Sequence, residues 1–329
     1  MAAAQEVGCD LKHLGSKRFA AGKFALLALL AAACAVSARA ETYYLTIAGL
    51  GGEQEYETRF SGWAKELEMI LKGEPNAKIE TLMGPQATRS NIQAKLADFA
   101  KQTKADDDVV LFLIGHGGFD EADYKFNIPG PDISATDLAT WLDKVPAHQL
   151  IVNMTSCSGG SIVTMAKAKR VVITATKSGT ERNAPVFARF WIEALRDPAA
   201  DADKDEVITA LEAFRYAEAK TVKYYEEAKR LATEHPLLED AGKSEGVRTP
   251  GPDNGEGLTA GRFAVLHTGS AVALARDPEK QKLLKAKEEL EQKIDDLKYR
   301  KASMSVEDYR KQLAAMLIEL AQTQEALDK

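Results

Sequence analysis

The chain has 329 residues, a formal net charge of −6 at pH 7 and 45% hydrophobic residues. An acidic surplus supplies no electrostatic reason to hold nucleic acid or an anionic membrane surface, so a basic binding module is excluded. The length suits a large core with an appendage, and the apolar fraction is that of a globular domain.

The first 40 residues read as a signal peptide. Lys12, Lys17, Arg18 and Lys23 form a basic stretch, and "FALLALLAAACAV" follows as an apolar run. That run is shorter than the ~20 residues a membrane span needs. "ARA" at Ala38 to Ala40 is a small-x-small cleavage site, which places the mature start at Glu41. A retained anchor and a lipid on Cys34 are the alternatives. Cleavage implies an exported protein, periplasmic or secreted, with no membrane attachment afterwards. It also removes Cys9 and Cys34, so Cys157 stands alone. An unpaired cysteine in an exported chain points to an intermolecular bond or a reactive thiol.

From Glu41 the pattern alternates strand and helix. "TYYLTIAGLGG" reads as a strand stopped by glycines. "FSGWAKELEMILK" reads as a helix burying Trp63, Leu67, Ile70 and Leu71. "AKIETLMG" is a second strand. "TRSNIQAKLADFAKQT" is a helix with Ser90 as its cap and Ile92, Leu96 and Phe99 inward. "DDVVLFLIGHGG" is a third strand, apolar throughout like the centre of a parallel sheet. "SATDLATWLDKV" is a capped helix, "QLIVNMTSC" a fourth strand, "RVVITATKSG" a fifth and "VFARFWIEAL" a helix. This alternation predicts an α/β fold, an open and mostly parallel sheet flanked by helices, over residues 41–270.

Ligands of such sheets bind at the carboxyl ends of the strands. "GHGG", "SCSGG" and "TKSGTERN" all fall there. A cysteine after an apolar strand is usually a small core residue, and a strand-end histidine is usually a hydrogen-bonded turn residue. Together, each at a strand end and each followed by glycine, His116 and Cys157 form the minimum for thiol catalysis. The thiolate attacks and the imidazole moves the proton. The glycines let a carbonyl approach backbone N–H groups.

The pairing of "IGHGG" with "NMTSCSGG" resembles the caspase-like cysteine peptidases, most of all the legumain-type branch, from about Thr42 to Phe190 and on to about His235. The spacing is compatible with caspases, whose histidine lies about 50 residues upstream of the cysteine. The resemblance implies a caspase-like fold, a His116–Cys157 dyad, and an oxyanion hole made by the N–H groups of Gly117 and Cys157. It also implies substrate contacts from Arg59, where the family keeps a pocket arginine, and from Thr176, Ser178 and Glu181 on a pocket-wall loop. Ser158 stands where legumain-type enzymes carry an acidic residue, so cleavage after Asn is not inherited.

"DADKDEVITALE" has the spacing of an EF-hand loop. Asp201, Asp203 and Asp205 take positions 1, 3 and 5, Val207 offers a carbonyl at 7, and Glu212 is the position-12 ligand. Glu206 replaces the turn glycine. The readings are a structural Ca²⁺ site or an acidic loop that caps the next helix. "VITALEAFRYAEAKTVKYYEEAKRLATEH" is a long helix or a pair. "EDAGKSEGVRTPGPDNGEG" is a polar Gly/Pro loop expected to be flexible, even autocleavable, and "GRFAVLHTG" is a short strand. Residues 278–329 form a helical hairpin. Leu283, Leu290, Ile294 and Leu297 make its first seam; Ser305 caps a second helix bearing Tyr309, Leu313, Met316, Leu320 and Leu327. It packs on the sheet domain or self-associates. His148, His235 and His267 read as structural.

The expected function is therefore exported cysteine endopeptidase. It hydrolyses peptide bonds through an acyl-thioester on an accessible Cys157 whose thiolate His116 favours, with no redox or organic cofactor. The partner is a peptide or protein, not nucleic acid. A transamidase or ligase on the same scaffold, and a non-catalytic exported interaction scaffold, are the alternatives.

Overall fold

A computed structural model describes residues 40–277 and 280–327. The leader reading falls on residues outside these. Five parallel strands make the centre of the molecule: β1 (Thr42–Ala48), β2 (Ala77–Leu82), β3 (Asp108–Gly115), β7 (His148–Thr155) and β8 (Arg170–Thr174). Three short strands, β4 (Gly117–Phe119), β5 (Tyr124–Phe126) and β6 (Ile133–Ser134), form a separate antiparallel sheet beyond the end of β3. A sixth strand, β10 (Leu237–Glu239), pairs antiparallel with β8, giving the order β10-β8-β7-β3-β1-β2.

Alternation along β1 divides the core into two layers. Tyr44 and Ala48 face one side with Phe60, Ala64, Leu67 and Leu71 of helix α1 (Gln54–Leu71). Tyr43, Leu45 and Ile47 face the other with Ile92, Leu96 and Phe99 of α2 (Arg89–Gln102). β3 and β7 are buried on both faces, as apolar central strands must be. The expected α/β architecture is therefore present.

Local details differ from the sequence reading. α1 begins at Gln54, and Trp63 and Ile70 lie at the margin of its buried face. Thr88, not Ser90, caps α2: its hydroxyl accepts from Asn91 N. α3 (Ala135–Leu142) has a full capping box between Ser134 and Asp137. A short α4 (Ile162–Met165) leads to β8, and α5 (Phe187–Ala194) follows it. The supposed helix from Val207 starts as a strand, β9 (Val207–Thr209), before α6 (Ala210–Glu227). β9 pairs antiparallel with β11 (Ala264–His267), and α7 (Gly269–Arg276) follows.

The loop between β10 and β11 is tied down rather than loose. Glu256 accepts from Asp240 N at 2.8 Å and Ala241 N at 3.2 Å, and Asp240 accepts from Gly257 N and Ala260 N. Both acids are buried. α8 (Gln281–Tyr299) and α9 (Val306–Leu327) form the hairpin, with Ser305 capping α9 through Asp308 N. Leu284, rather than Leu283, joins Leu290, Ile294 and Leu297 as the buried seam of α8. Tyr299 anchors the hairpin by donating to the Glu256 carbonyl at 2.7 Å. Among the described residues no helix is long and apolar enough to cross a membrane.

Candidate active site

The last register pair between β3 and β7 is Gly115 with Thr155. His116 and Cys157 therefore leave neighbouring parallel strands at the same edge. The His116 ring is half-buried and lies edge-on to Tyr56 at 4.7 Å and Phe60 at 5.1 Å, both on α1. Burial pushes its pKa below the ordinary value, against the opposing pull of the Gly51 backbone and the Glu53 charge. Gly117 comes next and is clamped. Its N–H donates to Ser156 Oγ, and Ser156 Oγ donates back to its carbonyl, each at 3.0 Å. A Cβ on Gly117 would lie 2.5 Å from both the Ser156 carbonyl oxygen and the Tyr124 ring. Beneath the turn, Tyr124, Asn153 and Thr155 form a buried hydrogen-bonded group.

Cys157 adopts φ 59° and ψ 6°, the left-handed region that side chains rarely occupy. Such strain persists only where surrounding contacts enforce it. Here they do. The Cys157 N–H donates to the Glu181 carbonyl at 2.8 Å. The next turn, Ser158–Ser161, is locked to the loop after β8: Gly159 N donates to Thr176 Oγ1 at 2.9 Å, and Thr176 N donates to Ser158 Oγ at 3.1 Å. Phe119 of β4 packs over Gly160 and Gly179, where added Cβ atoms would lie 2.6 Å and 2.2 Å from its ring carbons.

These contacts correct three expectations. Cys157 is not accessible; it is 2% exposed, it joins one of the two core layers, and its N–H is taken by Glu181 of the 176–181 loop. Its thiolate is not favoured: burial raises the thiol pKa, and the nearby Arg182 offsets this only in part. Among the described residues no hydrogen bond joins His116 to Cys157. The N–H groups of Gly117 and Cys157 are not open for an oxyanion either, since Ser156 and Glu181 hold them.

The expected substrate residues divide. Ser158 and Thr176 are fully buried and brace each other. The Ser178 hydroxyl pairs with Thr180. The Glu181 side chain accepts from Lys177 N at 2.9 Å and His235 N at 3.2 Å and pairs with His235 Nδ1. Arg59 pairs with Glu55 and stacks over Tyr56 at 5.1 Å, one ring removed from His116. Ser156 and Phe119 are site residues that sequence reasoning passed over, and His235, read there as structural, holds the Glu181 side chain. Ser156 and Phe119 were visible only as neighbours of the two motifs, and His235 gave no local signal.

The acidic loop is partly as expected. Asp201, Asp203 and Asp205 each bring an oxygen within 4.8 Å of the others. Burial and the Asp203 charge push Asp205 up to about 7. Glu206 takes φ 67° in place of glycine, and its carboxylate accepts from Ser270 N and Ala271 N at the start of α7. That capping contact accounts for the acid there. Glu212 does not join the trio. Its oxygens accept from Ala202 N and Thr209 N in the capping box of α6. Val207 enters β9, its N–H donating to Asp205.

Fold and strand order define an α/β protein with a mostly parallel central sheet that brings His116 and Cys157 to one edge. Residues 82–231 match the model of the Peptidase C13 family, a span that holds both His116 and Cys157. This bears out the resemblance to legumain-type peptidases. No curated protein matches the chain. Among solved structures, a protein from Geobacter sulfurreducens is 13% identical, with 67% of this chain and 97% of that chain covered and a TM-score of 0.41. The Drosophila initiator caspase Dronc is 13% identical over 62% of this chain and 81% of its own, TM-score 0.40. Caspase-1 from Spodoptera frugiperda is 14% identical over 61% and 86%, TM-score 0.44.

Proposed function

We propose that the chain is an exported cysteine endopeptidase that cleaves peptide bonds through an acyl-thioester on Cys157. His116 serves as general acid and base, taking the thiol proton and delivering it to the leaving amine. The observation that carries this reading is the exit of His116 and Cys157 from paired parallel strands β3 and β7, within the span that matches the C13 peptidases. The substrate is a protein or peptide. Export rests on the leader alone. An amine in place of water would make the same dyad a transamidase. The burial of Cys157 favours a second reading, a non-catalytic scaffold with an inert thiol. A diverse peptide library, incubated with wild type and with Cys157→Ala, decides between them. Cleavage lost in the variant supports the peptidase, ligated products identify the transamidase, and no product from either chain or from a chain carrying Glu181→Ala leaves the scaffold.

A further inference from the structure

Acyl transfer at Cys157 requires its N–H to meet a substrate carbonyl, because charge develops on that oxygen as the thiolate attacks. A carbonyl is already there, and it belongs to Glu181. We propose that the 176–181 loop is an internal plug on the nucleophile, and that the Glu181–His235 contact is the latch that holds it. The inference rests on reading Cys157 as the nucleophile.

Glu181 acts at both ends. Its backbone oxygen takes the Cys157 N–H at 2.8 Å. Its side chain reaches away from the site, accepting from His235 N at 3.2 Å and pairing with His235 Nδ1. A third contact, from Lys177 N at 2.9 Å, ties the carboxylate to its own loop. The residue that occupies the nucleophile's amide is thus anchored to a segment distant in sequence. That segment leads directly into β10, the antiparallel edge strand beside β8. On its other side the loop is backed by Phe119, which packs on Gly179. Loop, latch and roof together account for an exposure of 2% at a cysteine that stands at the open edge of the sheet.

At Cys157 a left-handed backbone coincides with a loop carbonyl on the amide beside the thiol. Both features place the plug on the groups that a substrate would engage. Opening requires the Glu181 side chain to leave His235. The loop then swings from Cys157, uncovering the thiol and its N–H in one movement. No bond is made or broken.

The test uses the full chain with Glu181→Ala and, separately, His235→Ala, which removes the ring that pairs with Glu181 and leaves Glu181 and the backbone of β10 in place. Native alkylation of Cys157 by iodoacetamide is followed by mass spectrometry, alongside hydrogen exchange at the Cys157 amide. Thermal melts select conditions in which each chain is folded. Both variants are expected to alkylate at least tenfold faster than wild type and to lose protection at that amide. Wild-type rates in folded His235→Ala overturn the latch, whatever Glu181→Ala does. Peptide cleavage separates the two proposals. Faster alkylation without cleavage in either variant keeps the latch and removes the peptidase. Wild-type cleavage that neither variant accelerates, with unchanged alkylation, removes the latch and keeps the peptidase.

Discussion

Ser156 holds Gly117 by both of its backbone polar groups: the hydroxyl accepts from the N–H and donates to the carbonyl, each at 3.0 Å. The residue after the histidine is thereby fixed to the residue before the cysteine. Ser156→Ala should lower stability by about 1–2 kcal/mol, the worth of two partly buried hydrogen bonds. Gly117→Ala should cost about 1–3 kcal/mol through overpacking, since its Cβ meets the Ser156 carbonyl and the fully buried Tyr124 ring, neither of which can easily yield. Urea midpoints measure both. A loss in Gly117→Ala below about 0.5 kcal/mol would contradict the close approach.

The alkylation profile of Cys157 against pH follows from its environment. Burial raises the thiol pKa and depresses that of His116, so both groups are neutral at pH 7 in the covered state. Only the thiolate reacts. Wild-type alkylation should therefore be slow at pH 6–7 and keep rising beyond pH 9. A plateau reached by pH 7 would show a thiolate–imidazolium pair instead.

Glu234 should make stability fall with rising pH. It is buried and accepts from Val186 N, Phe187 N and the Tyr225 hydroxyl. Burial pushes its pKa up to about 7, from 4.5. The folded chain thus binds this proton more tightly than the unfolded chain. Its contribution is fully present below the unfolded value and is lost as pH rises through the folded one, at most about 3 kcal/mol. Melting temperatures between pH 4.5 and 7.5 should fall in wild type, and Glu234→Gln should flatten the slope. An equal slope in both would assign the dependence to other groups.

The 239–257 loop should resist trypsin at Lys243 and Arg248. Glu256→Ala leaves the buried Asp240 N–H without an acceptor and frees the exposed Ala241 N–H to water, a loss of roughly 1–3 kcal/mol confined to this loop. Cleavage there should then accelerate under native conditions, because local opening governs native-state proteolysis. A wild-type chain cut at these positions as quickly as the variant would restore the flexible loop of the sequence reading.

The central strands were legible because β3 runs apolar from Val109 to Ile114, β7 carries the apolar stretch Leu150–Val152, and both end in glycine or polar residues. That pattern also placed His116 and Cys157 at one sheet edge. Strands β4, β5, β6 and β10 were missed because two or three residues hold no period to read. The 239–257 loop read as mobile from its Gly/Pro content, yet its order comes from Glu256 and Asp240, whose partners are backbone N–H groups invisible to composition. The cover on Cys157 was hidden for a similar reason. It depends on Glu181 meeting His235, two residues that nothing local connects.

The placement of β3 between β1 and β7 has a consequence for how the chain becomes competent. Neither neighbour is joined to β3 by a tight turn. Each parallel pairing closes a long stretch of chain that includes a helix, and such closures are slow because entropy is lost before contacts repay it. His116 and Cys157 meet only when the second closure is complete. On the proposed peptidase reading, a partly folded chain therefore has a cysteine and a histidine but no assembled centre, and it would not digest its neighbours while it, or they, are still folding.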